Sequence, residues 1–388
     1  MEILDLKVSK VTVPFKGTFR WRFGLRKEVN CIILQLLTDE GIIGVGEADY
    51  LGEWMVNIIE HHLKPLLLRE DPFDIEKIIR KIYASGYIYW LDAVVYPLCA
   101  IEMALWDIIG KSSKRPISKL LGGQLRDKVE CIAYLGYISP KEVKTLAIDF
   151  RNQGFRTFKI KVGIDPREDI QIVATLRDIL GDEIEIRVDA NQAWTLNRAL
   201  RQLKKLEKYD IQYVEQPLPR WDIKGLRELR KRVSIPIAVC EGNYTIYDTL
   251  KIIENKAADI ILIDPKRAGG LWAFKKACAI AEAADIMVGN HSGAEVGIAT
   301  AAKLHLAAST PNFKYAMDSL YHWLNDDIIK EKLQYDKGTI KLPEKPGIGV
   351  TIDEEKLKNY ENIFYSKERK FALWGLEEPP WSREIPSY

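Results

Sequence analysis

The chain has 388 residues, 47% hydrophobic and 29% charged, and its 57 Lys and Arg nearly balance 55 Asp and Glu for a net charge of +2. That length fits roughly two to three domains. The near-neutral balance gives no support to nucleic acid or an anionic membrane as a partner, and apolar runs such as "IILIDP" stop short of the ~20 residues that span a bilayer.

The opening "MEILDLKVSK" carries charge too early to resemble a signal peptide. Five cysteines (Cys31, Cys99, Cys131, Cys240, Cys278) are scattered, odd in number and form no CxxC pair. They read as free thiols of a reducing compartment, so a cytoplasmic protein is expected.

In chain order, "ILDLKVSKVTVPF" and "NCIILQLLTDEGIIGVGEA" alternate or run apolar and predict strands, with "TDEG" as a turn. Residues 17–26, "GTFRWRFGLR", read by themselves as a solvated turn. From Glu53 to Leu121 the pattern becomes helical, and "YPLCAIEMALWDIIGKSSKRPISKLLGG" ends at the Gly122–Gly123 stop. Residues 1–125 are therefore expected to form an N-terminal α+β capping domain.

Residues 126–320 repeat one unit. Apolar, β-rich runs occur at "VECIAYLG", "FRTFKIKV", "IEIRVDAN", "IQYVEQP", "IPIAVCEGN", "DIILIDP", "DIMVGNHSG" and "FKYAMDS". Amphipathic stretches such as "PKEVKTLAIDFRNQG" lie between them. Eight strands alternating with helices predict an α/β fold of the (β/α)8 barrel type. An open doubly wound sheet is disfavoured, because no glycine-rich nucleotide turn is present. Residues 321–388, with "LPEKPGIGVTIDEEKL" and an aromatic, proline-rich tail, are expected to pack back on the capping domain.

Each predicted strand ends in an ionisable residue. Lys161, Asp189, Glu215, Glu241, Asp264, His291 and Asp318 follow at spacings of 28, 26, 26, 23, 27 and 27. Each spacing is one βα unit, and in a barrel those strand ends meet at the mouth, where active sites lie. Taken singly, such an Asp is usually a helix cap and such a His a structural one; seven in register are much harder to explain that way.

Asp189, Glu215 and Glu241 come from three adjacent strands and offer oxygen ligands to one cation. Carboxylates favour Mg2+, or Mn2+, over Zn2+, which usually recruits His or Cys. In "TFKIKVG", Lys159 and Lys161 share a face. Each is expected to lower the pKa of the other, which suits Lys161 as a base and Lys159 as its tuner and a contact to a substrate oxygen. Asp264 is placed to orient His291 and raise its pKa. A base on either side of a cation that holds a carboxylate predicts abstraction of the α-proton of a small carboxylate substrate.

This constellation resembles the enolase superfamily, and within it the mandelate racemase and muconate lactonizing group. The resemblance is carried by "GIIGVGEA" (41–48), "AIEMALWDIIGKSSKRPISKLLGG" (100–123), "KIK", "VDANQAW", "VEQP", "GIATAAKLHLAAS" and "PGIGV", over nearly the whole chain. It implies a modified (β/α)7β barrel with a cap, metal ligands at Asp189, Glu215 and Glu241, a Lys-x-Lys base at 159–161 and a dyad of His291 with Asp264. The muconate branch usually has a ligand Asp where Cys240 stands and a lysine where Asp264 stands. The chain departs from it at both and is similar to mandelate racemase there. Asp318 lies one residue out of register with a racemase Glu that donates to the substrate carboxylate.

The family pattern also implies that residues 17–26 close over the substrate, with Arg20, Trp21 and Arg22 as specificity residues. His61, His62, His305 and His322 have no comparable placement and read as structural. The loop arginines favour a hydroxylated, anionic substrate and so an acid-sugar dehydratase. Racemisation or epimerisation of a 2-hydroxy acid uses the same groups and stays open. Cycloisomerisation lacks its lysine at position 264; a silent ligand-binding barrel and a metal-dependent aldolase are the remaining alternatives. A homo-oligomer is expected, as for many barrels of this type.

Overall fold

The computed structural model describes residues 1–86 and 91–367. The chain opens with an antiparallel meander of β1 (Ile3–Trp21), β2 (Gly24–Thr38) and β3 (Ile43–Asp49). The expected loop at 17–26 is instead the tip of the β1–β2 hairpin, where Phe19 pairs with Arg26, Arg20 with Leu25 and Trp21 with Gly24. Aromatic and β-branched residues sustain strand there, and Gly24, at φ 147°, lets the chain reverse.

The helix Leu91–Ser112 packs across this sheet and is long and apolar enough, from Ala93, to cross a membrane by length and composition. It is a core helix here, because 83% of that apolar stretch is buried inside the protein. Its approach depends on missing side chains: a Cβ on Gly46 would lie 1.8 Å from the Ala100 carbonyl oxygen, and one on Gly44 2.2 Å from that of Ala104.

Beyond the short strand β4 (Lys128–Glu130) the alternation becomes a barrel. Strands β5 (Ala133–Leu135), β6 (Thr157–Lys161), β7 (Glu185–Asp189), β8 (Ile211–Glu215), β9 (Ile237–Val239), β10 (Ile260–Ile263) and β11 (Met287–Asn290) form one parallel sheet in sequential order. The predicted eighth strand, "FKYAMDS", joins by isolated parallel bridges instead of a ladder. Phe313 bridges to Val288 beside β11, and Met317 to Cys131 just before β5, which closes the ring. Nearly all strand residues are buried, as expected of a parallel sheet covered by helices, and the buried set includes the charged Lys159, Lys161, Arg187, Asp189 and Glu215 on β6 to β8.

Helix starts follow local chemistry. Ser139 and Glu142 form a capping box before the helix Pro140–Asn152, and Thr245 with Asp248 does so before Ile246–Glu254. The C-terminal segment divides. Strand β13 (Thr339–Lys341) pairs with β4 at the barrel and β12 (Tyr335–Asp336) pairs with β13, whereas the helix Glu354–Ser366 packs on β1, with Phe364 edge-on to Tyr50 at 4.9 Å. The aromatic, proline-rich tail expected to cover the cap lies outside the described residues.

Candidate active site

Strand register brings the predicted residues to one level. Lys161 pairs with Asp189 across β6 and β7, and Asp189 with Glu215 across β7 and β8. On the opposite wall Ile263 pairs with Asn290, which leaves Asp264 and His291 as neighbours at the next step. Glu241 follows two residues after the end of β9.

Three non-glycine residues at these strand ends, Asn191 (φ 42°), Gln192 (φ 66°) and Gln216 (φ 36°), take left-handed backbone angles, which cost energy and cluster at functional sites. Gln216 Oε1 accepts from the backbone N–H groups of Cys240 and Gly242 at 3.0 and 3.1 Å. It thereby holds the turn that carries Glu241.

The two lysines are not free ammonium groups pressed together. Lys159 Nζ is fully buried, donates to Glu215 and Asp318, and lies 3.2 Å from Asp189 Oδ2. Lys161 Nζ donates to Asp189 Oδ2 and Asn191 Oδ1, both at 2.7 Å. Burial pulls both lysines down, but Asp318 and Glu215 around Lys159, and Asp189 beside Lys161, more than offset it. Both pKa values therefore rise in the ion-free chain, opposite to the sequence expectation. The carboxylates that surround the lysines come from other strands and outweigh the lysine–lysine repulsion.

His291 Nδ1 meets Asp264 Oδ2 at 3.0 Å, so the expected pair forms. Its pKa nonetheless falls to about 3, because burial and the Arg267 guanidinium outweigh Asp264. Arg267 Nε donates to Asp264 at 3.2 Å and Nη2 to Cys240 Sγ at 3.5 Å. Asp264 is thus shared between two cationic or donor groups, which the local sequence "DPKRAGG" did not disclose.

A cavity of ≈ 330 Å3 opens at this end of the barrel. Lys161, Asn191 and Glu241 line one side, and Asp264, Arg267 and His291 another. Phe19, Trp21, Phe23, Tyr96, Tyr134, Tyr244 and Leu320 form apolar walls, and Arg26 and Asp49 come from the cap. The hairpin tip is held over the mouth by Tyr137 N–H to the Arg20 carbonyl at 2.6 Å and Arg22 Nη1 to the Asn191 carbonyl at 3.1 Å.

Several expectations change. Trp21 faces the cavity, but Arg20 is exposed and turned over the Tyr137 ring, because successive strand residues face opposite ways. Lys159 lies beneath the cavity floor and not on its lining, so it is not placed to contact a substrate oxygen. Asp318 is likewise buried, between Lys159 and Arg187 Nη1 (3.4 Å), away from the lining. Asn191, Arg26, Asp49 and Arg267 were missed. Of these only Asn191 left a signal, two residues beyond Asp189 on the same face.

Asp189, Glu215 and Glu241 offer a hard donor set. Glu215 Oε1 and Glu241 Oε2 are buried acceptors without a hydrogen-bond partner, the condition a divalent cation would relieve. Asp189 is already neutralised by the lysines, and Glu241 Oε1 accepts from Asn191 Nδ2 at 2.9 Å. Among the described residues, the group whose ligating atoms all lie within 4.8 Å of one another is Glu215, Cys240 and His291. Asp189 and Glu241 stand outside that cluster. His61 and His62 lie on the cap helices, His305 Nε2 donates to the Ile348 carbonyl oxygen at 3.0 Å, and His322 packs among Phe150 and Phe155.

A parallel barrel with carboxylates, a lysine and a His–Asp pair at the C-terminal strand ends, roofed by an α+β cap, defines a class of barrel enzymes. Residues 3–122 match the mandelate racemase/muconate lactonizing enzyme N-terminal domain, and residues 142–356 match the family described as enolase C-terminal domain-like. The chain is 30% identical over 362 residues to the L-Ala-D/L-Glu epimerase of Clostridium acetobutylicum, covering 90% of this chain and 99% of that one. It is 32% identical to the arabinonate dehydratase of Saccharolobus solfataricus, covering 85% and 90%. A solved enolase from Thermobispora bispora, complexed with magnesium and formate, superposes with a TM-score of 0.89 at 25% identity, covering 96% and 95%. The chain belongs to the mandelate racemase/muconate lactonizing group of the enolase superfamily.

Proposed function

We propose that this protein is an isomerase of the racemase or epimerase type that removes and returns the α-proton of a small carboxylate. The observation that carries the reading is that Lys161 and His291 line one cavity from different strands, each held by its own partners, Asp189 and Asn191 for the first and Asp264 for the second. Asp189, Glu215 and Glu241 would hold Mg2+, with Mn2+ as a substitute. Bound there, the cation would supply the positive charge that lowers the cost of carrying a second negative charge on a deprotonated carboxylate substrate.

The chain's own groups then divide the work. One base takes the proton from Cα, and the conjugate acid on the other side returns a proton to the opposite face. Phe19, Trp21 and Phe23 exclude water and receive the substrate's remaining substituent. Arg267 lies buried beside His291, with its charge shared with Asp264.

Dehydration of an acid sugar is the second reading, supported by the likeness to the arabinonate dehydratase. It loses one of its sequence arguments, since Arg20 faces solvent and Arg22 is engaged with a backbone carbonyl.

The test is incubation with Mg2+ in deuterium oxide of a library holding dipeptides, N-acyl amino acids, 2-hydroxy acids and acid sugars. Mass spectrometry reads deuterium at Cα, polarimetry reads epimers, and a carbonyl reagent reads keto acids. Deuterated epimer is the expected product. Keto acid would establish the dehydratase instead, two carbon fragments an aldolase, and no exchange with any acid a silent barrel. Lys161→Ala and His291→Asn should each abolish exchange from one enantiomeric series; wild-type rates in both would refute the two-base assignment.

A further inference from the structure

The cluster at the barrel mouth that meets the tightest distance criterion is not the carboxylate trio. It joins Glu215, Cys240 and His291, whose ligating atoms all fall within 4.8 Å of one another. A thiol, an imidazole and a carboxylate together make a borderline-soft donor set, the type that zinc recruits in preference to magnesium.

We propose that Glu215, Cys240 and His291 form a binding site for a thiophilic divalent cation, Zn2+, that overlaps the carboxylate site and excludes its occupation. The proposal stands whether or not the chain transfers protons.

Three observations support it. First, each donor has an atom available. Lys159 takes Glu215 Oε2, which leaves Oε1 buried and without a partner. Asp264 takes His291 Nδ1, which leaves Nε2 as the ring's open nitrogen. Second, the Asp264–His291 contact is the arrangement that orients and strengthens metal-binding histidines elsewhere in proteins. Third, the geometry is close to what zinc requires. Tetrahedral zinc with bonds of about 2.0–2.3 Å sets its ligands about 3.3–3.6 Å apart, so a shift on the order of 1 Å per pair completes the site.

The Arg267 guanidinium lies 3.5 Å from Cys240 Sγ. Burial pushes the Cys240 thiol well up and Arg267 offsets only part of that, so coordination has to displace the thiol proton. Of the three donors His291 lines the cavity, beside Glu241 and Asn191, so a fourth ligand would come from that side.

Occupation has two consequences. Zinc on Nε2 removes His291 from proton transfer, and zinc on Glu215 takes a ligand from the carboxylate site. Zinc and magnesium therefore compete.

Cobalt(II) is the probe, added to the magnesium-free, full-length protein. A sulfur-to-cobalt charge-transfer band in the near ultraviolet is expected, lost in Cys240→Ser and kept in Cys278→Ser, whose cysteine lies on a helix of the barrel's outer layer. Competition by zinc should bleach the band, and Cys240→Ser should weaken zinc binding by at least about tenfold. If Cys240→Ser does not fold, X-ray absorption of the zinc-loaded wild type decides the matter, with one sulfur at about 2.3 Å expected. Cobalt binding without the band, a band that survives Cys240→Ser, or a zinc shell of oxygen and nitrogen alone overturns the proposal.

Discussion

Gly46→Ala is expected to destabilise the protein by more than its single methyl group would suggest. The new Cβ would lie 1.8 Å from the Ala100 carbonyl oxygen and 2.7 Å from its carbon. An ordinary contact of about 3.2 Å demands a separation of roughly 1.4 Å between β3 and the helix Leu91–Ser112, since neither backbone can yield locally. A gap of that size forfeits at least a quarter to a half of the dispersion well at each facing atom pair, about 0.1 kcal/mol per pair, over a seam that includes Leu105 and Ile108. Overpacking of this kind usually costs about 1–3 kcal/mol, and the parted seam places Gly46→Ala at the upper end, about 3 kcal/mol.

Gly44 faces the same helix one strand period away, and its Cβ would lie 2.2 Å from the Ala104 carbonyl oxygen. One displacement relieves both clashes. The double variant Gly44→Ala/Gly46→Ala should therefore cost clearly less than the sum of the singles, a coupling of about 1–3 kcal/mol. Urea unfolding read by tryptophan fluorescence supplies the midpoints, and an unchanged m value licenses the comparison. Gly41→Ala is the control: nothing lies within 4 Å of that Cβ, and only its φ of +75° opposes it. A Gly46→Ala loss below about 1 kcal/mol, or strict additivity in the double variant, would refute the close-packing argument.

Burial pushes Glu102 up to about 7 from 4.5, despite N–H donors from Leu271, Trp272 and Trp106. A raised carboxyl adds stability below its unfolded pKa and loses it as pH rises through the folded value, so this group should withdraw about 3 kcal/mol between pH 4 and pH 8. Glu102→Gln should flatten that slope, and an unchanged slope in unfolding midpoints across the same range would exclude burial as its origin. Arg20→Ala should leave kcat/KM within about threefold of wild type, whereas Trp21→Ala should change which acids are accepted, measured by the same substrate library; the reverse order would return Arg20 to the site. Asp264→Asn should slow exchange from the His291 face by about 10²–10⁴ while the Lys161 face is spared, and equal losses on both faces would show that Asp264 acts on more than His291. Removal of divalent ions with a chelator should stop exchange, and added Mg2+ should restore it; exchange that persists would sink the role given to Asp189, Glu215 and Glu241.

The barrel was legible because its signal is periodic. Apolar strands recur once per unit, and an ionisable residue closes each, so Lys161, Asp189 and Glu215 could be set side by side from spacing alone. The register confirms that order. The hairpin tip was not legible as strand, because "GTFRWRFGLR" holds two glycines and three arginines. Read with period two, Phe19 and Trp21 share one face and Arg20 the other, which is how they lie. Electrostatics was the least legible. The groups that set Lys161 and His291 come from different strands, and Arg187, which pairs with Asp318, stands 131 residues from it. No local pattern carries such a partner. The eighth strand was visible as "FKYAMDS", but its reduction to two bridges was not.

Charge around the barrel floor argues for the order in which ligands enter. Lys159, Lys161 and Arg187 face four carboxylates, those of Asp189, Glu215, Glu241 and Asp318. Three cations against four anions leave an excess of negative charge in a largely buried place. The excess bears on Glu215, whose pKa is raised by burial and by Asp189 beside it. A divalent cation held by these carboxylates would turn the local balance positive and make the cavity more favourable to a carboxylate. The charge balance therefore predicts that the cation enters first and the acid second. The two arginines on the cavity wall do not reverse this order, because Arg267 is shared with Asp264 and Arg26 is engaged with the Gly293 carbonyl. An acid that binds equally well before and after a chelator is applied would contradict this order, whatever reaction follows.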